Sequence, residues 1–359
     1  MNKKIRWGIL STGGIAQSFA RALQYLPDAE IAAVGSRSQA TADHFGNRFG
    51  IPRRYPSYEA LAADPDLDVI YIATPHNFHC DNTLLCLEGG KAVLCEKSFA
   101  VNAVQAERMI AAARRKRLFL MEAMWTRFLP SIIELRRRLA EGVIGDIRMI
   151  EANFGFSADF NPQGRLFNPD LAGGALLDLG IYPLSLAYLL LGSPSRIAAL
   201  AELGTTGVDE RSGVLLGYPG GQMAVLHFSL TSDMPSDARI MGSKGWIHIH
   251  APIYKPERLT IKLRNLPQLK PRRLPAAVKR FAKLPFLAPL KNRLLGHRQR
   301  SLHFPAEGNG LNYEAAEVMR ALHEGRLESP VMPLDETLSI MRTMDVIRAQ
   351  WGFKYPGEG

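Results

Sequence analysis

Residues 5–16, Ile-Arg-Trp-Gly-Ile-Leu-Ser-Thr-Gly-Gly-Ile-Ala, pass from an apolar strand through a glycine turn straight into a helix with apolar Ile15, Phe19, Leu23 and Leu26. A helix N-terminus leaves backbone N–H groups unpaired and carries partial positive charge, so a turn without side chains is a seat for a phosphate. In the G-x-G-x-x-G spacing of dinucleotide-binding turns, Ser11 takes the first glycine position, Gly13 the second and Ala16 the third, with Gly14 and Ile15 between. An ordinary strand–turn–helix with an incidental glycine pair fits the same residues, so the following segments decide.

The next strand, Glu30–Gly35, ends in Ser36, Arg37 and Ser38, where an NAD-specific site places an Asp or Glu for the ribose 2′-hydroxyl. An arginine can hold a 2′-phosphate through its fork, and serines can donate to the phosphate oxygens. The segment therefore favours NADP over NAD; the plain alternative is an exposed arginine at a strand end.

Val69–Ala73, Ala92–Cys95 and Leu118–Met121 are short apolar runs of the kind buried on both faces of a parallel sheet. Helices lie between them. Asn102 and Gln105 form a capping box, with Ala103, Ala106, Ile110 and Ala113 on one face and Arg114, Arg115 and Lys116 at the C-terminus. Alternation of this kind predicts an α/β fold, with a doubly wound parallel sheet over residues 1–122. Beyond Trp125, strand-like stretches at 147–156, 214–216 and 223–230 follow one another, predicting a mostly antiparallel sheet in an α+β domain over 123–359.

Composition agrees with a globular enzyme: 359 residues, 47% hydrophobic and 22% charged. The apolar stretch after Met-Asn-Lys-Lys stops at Leu10, unlike a secretory signal, and no apolar run reads as long enough to span a bilayer. Cys80, Cys86 and Cys95 are an odd count without metal-type spacing, which predicts reduced, packed cysteines, no metal site and a cytoplasmic protein.

Ligands of doubly wound sheets bind outside the carboxyl ends of the strands. Thr74, Pro75 and His76 follow one predicted strand, and Glu96, Lys97 and Ser98 the next. An ammonium there can hold a substrate oxygen and lower the pKa of a neighbouring acid, or simply pair with Glu96. Further on, Gly173-Gly174 opens an apolar helix with Asp178 and Tyr182 four apart on one face. Tyr182 beside an ammonium could exchange protons, or only pack.

These residues resemble the Gfo/Idh/MocA family of NAD(P)-dependent oxidoreductases: Thr74-Pro75 with His79, Glu96-Lys97, and Gly173-Gly174 with Asp178 and position 182. Tyr182, the run Met121–Pro130, and the tail segments Asn312–Glu314, Glu328–Pro330 and Gly352–Pro356 are similar to its dihydrodiol and NADP-dependent xylose dehydrogenase branch. The resemblance covers nearly the whole chain. It implies a Rossmann domain followed by an open-faced sheet through which such proteins commonly pair as homodimers, with Lys97 and Tyr182 in the acid/base work. In this reading Lys97 orients the substrate oxygen and tunes Tyr182, and Asp178 fixes a substrate hydroxyl or Lys97. Trp125, Arg127 and Phe154 contact substrate. Residues 11, 13–15, 36–38, 74–76, 79, 96 and 97 hold the cofactor. Ser98 departs from the proline usual in the family, so the placement of Lys97 is the point to check. Two other readings stay open: an NADP-binding sensor without turnover, and an NAD-dependent glycosidase-type enzyme of the same family.

From Arg258 to Ala306 there are thirteen Lys or Arg and no Asp or Glu. The remaining 31 basic and 34 acidic residues leave a net of −3, so this stretch alone carries the +10 of the chain. Prolines at 267, 271, 275, 285, 289 and 305 forbid a long helix. Such an insertion suits an anionic membrane surface, here the inner face of a membrane, a phosphorylated substrate or an acidic partner; a solvated loop is the alternative. No nucleic-acid reading motif accompanies the charge.

Overall fold

The computed structural model describes residues 4–264 and 299–358. Most of the basic insertion, 265–298, lies outside the described residues, and so does the part of it expected to meet a membrane or an acidic partner.

The first sheet is built from β1 (Ile5–Leu10), β2 (Ala29–Gly35), β3 (Arg53–Tyr55), β4 (Val69–Ile72), β5 (Ala92–Glu96) and β6 (Leu120–Ala123). All neighbours pair in parallel, in the order β3-β2-β1-β4-β5-β6. The strand order reverses between β1 and β4, the point beyond whose carboxyl ends doubly wound sheets bind their ligands. The apolar runs of β4 and β5 are buried at every position, as expected of strands covered on both faces. The crossover helices are α1 (Gly14–Leu23), α2 (Gln39–Phe49), α3 (Tyr58–Ala62), α4 (His79–Glu88) and α5 (Ala103–Lys116). At the start of α5, Asn102 Oδ1 accepts from the Gln105 amide at 2.9 Å, while Gln105 Oε1 reaches back to the amide of Val101. That is a capping box shifted by one residue at its return bond. Under α1, Phe19 stacks on Tyr71 with ring centres 3.7 Å apart and meets Trp7 edge-on.

After α6 (Pro130–Ala140) comes β7 (Ile147–Gly155), a tight turn of π-helical geometry at Leu176–Gly180 and α7 (Ile181–Leu191). The second sheet adds β8 (Arg196–Leu203), β9 (Asp209–Gly217), β10 (Met223–Ser229), β11 (Ala238–Gly242), β12 (Gly245–Ile249), β13 (Arg258–Leu263) and β14 (Gln299–His303). Its order is β14-β13-β12-β11-β7-β10-β9-β8, antiparallel except for the β7–β10 pair. One face packs on α7. On the other, register and alternation line up Leu200, Leu215, Val225 and Met223, and Leu200 is 82% exposed.

Two features differ from the sequence expectations. The stretch 169–191 is long and apolar enough to cross a bilayer, yet 78% of its most apolar window is buried inside the protein, because it is the core support of the second sheet. The last two helices, α8 (Leu311–His323) and α9 (Leu334–Gln350), return to the first domain and pack on α1 and α5. The division at 122/123 therefore separates the sheets but not the helices.

Candidate active site

The turn after β1 is shaped for an anion. Ser11 stands at φ 98°, the backbone conformation for which glycine is usual at this position. A Cβ on Gly14 would meet nothing within 4 Å, and one on Gly13 only Ser11 Oγ at 3.9 Å. The N-terminus of α1 has no side-chain cap and no acidic residue in its first turn. Unpaired amides, open ground above glycine and no competing carboxylate fit a dinucleotide pyrophosphate.

At the end of β2 the two serines do other work. Ser38 Oγ caps α2 by accepting from the Thr41 amide, and Ser36 Oγ hydrogen-bonds Thr41 Oγ1 at 2.5 Å. Short hydroxyls beside a helix N-terminus are the natural caps. Both hydroxyls therefore already have protein partners, whereas Arg37 beside them is exposed and without an ion pair among the described residues.

Beyond β4 and β5 the chain forms a buried clamp. His79 sets its two ring nitrogens against the carbonyls of Thr74 and Ser98, each at 2.8 Å. His79 thus ties together the two loops expected to hold the cofactor, and with no surface exposed it supports them from beneath. Thr74 Oγ1 accepts from Asn82. His76 Nδ1 donates to the Ala172 carbonyl at 3.1 Å, and burial, with the charges of His79 and Lys97, pushes its pKa down to about 3. It is a neutral imidazole. Glu96 turns its carboxylate to the Tyr71 hydroxyl and to the amide of Lys97 at 3.1 Å, rather than to the Lys97 ammonium.

The Lys97–Ser98 peptide is cis, and Ser98 Oγ donates to the Leu177 carbonyl at 2.7 Å. Lys97 Nζ reaches the Asp178 carbonyl at 2.8 Å and Asp178 Oδ1 at 3.0 Å. The serine in place of proline leaves the lysine in contact with its expected partner. Burial is the largest effect and opposes the charge of Lys97, but Asp178 together with Tyr182 and Glu96 outweighs it and the ammonium pKa lies above its ordinary value. Asp178 is held well below the usual carboxylate range: burial opposes ionisation, and the charges of Lys97 and Arg165 overcome it.

Arg165 is the residue sequence reasoning misses. It lies in the long loop between β7 and the π turn and places Nη1 2.8 Å from Asp178 Oδ1. No spacing rule marks a loop cation that folds back thirteen positions. Asp209 is missed for the same reason. Its Oδ2 accepts from the Leu176 amide at 2.7 Å, which holds the π turn, and burial pushes its pKa up to about 7. Gly174, at φ 117°, must be glycine here, because a Cβ would lie 2.3 Å from Asp209 Oδ1. Tyr355 in the C-terminal tail donates to the Gly173 carbonyl at 2.6 Å and fixes the same turn from outside.

Tyr182 lies with its ring 5.1 Å below Lys97 Nζ, and its hydroxyl accepts from Trp125 Nε1 at 3.2 Å. Trp125 is therefore a hydrogen-bond donor to the phenol, beyond the substrate contact expected of it. Phe154 meets Tyr182 edge-on at 5.6 Å and, with Tyr254, completes the aromatic side of the site. Lys97 lowers the Tyr182 pKa as anticipated, and the Trp125 hydrogen bond does so too, but burial is the larger effect and the net direction is upward. Arg127 is not a substrate contact: its guanidinium is 2% exposed and bonds Ser185, the Val331 carbonyl and Glu336, pinning α7 to the α9 end of the molecule.

Residues 5–124 match the profile described as "Oxidoreductase family, NAD-binding Rossmann fold", and residues 132–248 match the GFO/IDH/MocA C-terminal domain. This chain belongs to the Gfo/Idh/MocA family. It is an NAD(P)-dependent dehydrogenase or reductase. Among its relatives, the trans-1,2-dihydrobenzene-1,2-diol dehydrogenase of Mus musculus is 38% identical over 356 residues, covering 98% of each chain. The Homo sapiens protein of the same name is 37% identical with the same coverage. In solved structures, KijD10, a 3-ketoreductase from Actinomadura kijaniata bound to NADP and TDP-benzene, superimposes with a TM-score of 0.80 at 25% identity, covering 97% of this chain and 98% of that one. The aldose-aldose oxidoreductase of Caulobacter crescentus shares the fold with a TM-score of 0.80 at 23% identity, over 97% of each chain. The Gfo/Idh/MocA assignment rests on both halves of the chain, so the glycine turn after β1 and the Lys97–Asp178–Tyr182 group belong to one enzyme.

Proposed function

We propose that this enzyme transfers a hydride between the nicotinamide of NADP and a secondary alcohol or lactol carbon of a sugar, polyol or trans-dihydrodiol. The observation that carries this reading is the unfilled hydrogen-bonding capacity around Lys97. Its ammonium has three donors, of which two go to Asp178, leaving one for a substrate oxygen. The Tyr182 hydroxyl accepts from Trp125 and keeps its own proton to give to that oxygen. Asp178 Oδ2 has no hydrogen bond among the described residues and can receive a neighbouring substrate hydroxyl. When bound, the nicotinamide supplies or accepts the hydride at C4. Lys97 orients the carbinol or carbonyl oxygen, Tyr182 moves the proton on it, and the aromatic side formed by Phe154, Tyr182 and Tyr254 keeps water from that edge. The relatives named as dihydrodiol dehydrogenases and the NADP-bound 3-ketoreductase support this chemistry. Screening NADP reduction with pentoses, hexoses, inositols and aromatic trans-diols tests it; tight NADPH binding with no turnover on any of them would instead favour a sensor.

NADP is preferred over NAD in this reading because the end of β2 offers Arg37 and no carboxylate. Arg37→Ala should weaken NADP(H) by about 1.5–3 kcal/mol, as for a charge-assisted hydrogen bond, and barely change NAD(H). Isothermal titration with each cofactor checks this, and equal losses would refute it.

We also propose that the open face of the second sheet pairs two copies of the chain. Leu200, Leu215 and Met223 on that face are exposed at 82%, 46% and 42%, an apolar surface that a partner would cover. Leu200→Asp should convert a dimer to a monomer in sedimentation velocity; a native monomer at the same concentration would rule the pairing out.

A further inference from the structure

Two cations share one carboxylate oxygen in this site. Lys97 Nζ lies 3.0 Å and Arg165 Nη1 2.8 Å from Asp178 Oδ1, so the ammonium and the guanidinium can be no farther apart than those two contacts together. Glu96, the other carboxylate near them, accepts from the Tyr71 hydroxyl and the Lys97 amide and has no hydrogen bond to either cation among the described residues, so Asp178 is the acidic side chain that binds both.

The two cations differ in accessibility. The Lys97 side chain is 14% exposed and has one donor left, which the hydride-transfer reading assigns to the reacting oxygen. The Arg165 side chain is 56% exposed, and among the described residues only Nη1 has a hydrogen bond. A guanidinium has five N–H donors in a rigid fork that matches a carboxylate. Nε and Nη2 of Arg165 have no hydrogen bond among the described residues, and Asp178 anchors the guanidinium beside Lys97.

We propose that Arg165 binds a carboxylate on the substrate, so that the preferred substrates are hydroxy acids of the sugar class, carrying a carboxylate a few bonds from the reacting carbinol or lactol carbon. The inference rests on the dehydrogenase reading for the identity of the reacting group, but the anion site itself does not require turnover. A carboxylate there fills the Arg165 donors that Asp178 leaves open. A neutral sugar leaves the guanidinium to water.

D-glucuronate and D-glucose make the comparison, because they differ in a carboxylate against a hydroxymethyl group. Titrating each into the enzyme–NADPH complex, read by the fluorescence of the bound cofactor, should show glucuronate binding about tenfold to a hundredfold tighter, the range for a charge-assisted bond. The gap should shrink with added salt, vanish in Arg165→Gln and survive in part in Arg165→Lys, which keeps the charge without the fork. A merely structural arginine would weaken both sugars together. Arg165→Lys keeps the ion pair with Asp178 and removes only the fork, so it tests the assignment even if Arg165→Gln fails to fold. Equal affinities, no binding of either sugar, or a gap that persists in a folded Arg165→Gln protein would overturn the proposal. Turnover with NADP is measured separately on both sugars. A binding preference without turnover of either sugar keeps the anion site and excludes hexoses and hexuronates as the reacting substrates, whereas turnover without preference keeps the hydride-transfer reading and removes the anion site.

Discussion

Lys97→Met should lower kcat/KM by about 10²- to 10³-fold, the usual consequence of removing a donor aimed at an oxygen on which charge develops. The substitution keeps the length of the side chain and deletes the ammonium, so the bonds to the Asp178 carbonyl and Oδ1 disappear together with the donor left for substrate. Affinity for the cofactor should change little, because the glycine turn before α1 and Arg37, proposed above to hold the pyrophosphate and the 2′-phosphate, lie on other loops. Asp178 remains paired with Arg165, which keeps it ionised and holds the π turn together. Steady-state rates beside direct titration of the cofactor separate the two effects. A variant within a few-fold of the wild type would reduce Lys97 to a buried partner of Asp178.

The parts of this site that were legible in the sequence are those with short-range signatures. A strand running into Gly13-Gly14, a lysine at the end of β5 and a glycine pair ahead of Asp178 each lie within one strand–turn–helix unit, where spacing dictates placement. The helices and parallel strands of the first domain were readable for the same reason. Groups brought in from afar were not. Arg165 reaches Asp178 from a loop, Asp209 holds the Leu176 amide from the start of β9, and Tyr355 reaches Gly173 from the C-terminal tail. Polar atoms inside a core must find partners, and which partner closes each bond is settled by the tertiary fold. Arg127 shows the converse: it falls in a run typical of the family branch, yet burial directs its donors to Ser185, Val331 and Glu336. The Asp178–Tyr182 spacing also acquires a different geometry from the one a regular helix implies, because the π turn at 176–180 precedes α7. The two residues still serve one ammonium, from the carboxylate on one side and the ring face on the other.

Tyr182→Phe should cost about 10²- to 10⁴-fold in turnover with cofactor affinity nearly unchanged, the range for loss of a positioned proton donor. The ring stays, so the edge-on contact with Phe154 and the aromatic face under Lys97 survive. Only the hydroxyl goes, leaving Trp125 Nε1 without its acceptor. The pH dependence gives the role a second readout. Burial raises the Tyr182 pKa above its ordinary value near 10, against the lowering by Lys97 and Trp125, so the phenol is protonated at neutral pH. Carbonyl reduction uses the protonated phenol and should run at a flat rate through neutrality. Alcohol oxidation needs the phenolate, so its rate should climb toward alkaline pH as the minor ionised fraction grows tenfold per unit. Tyr182→Phe should abolish that climb along with most of the rate. An alkaline rise that persists in the Phe variant would assign the titrating group elsewhere and return Tyr182 to packing against Phe154 and Tyr254.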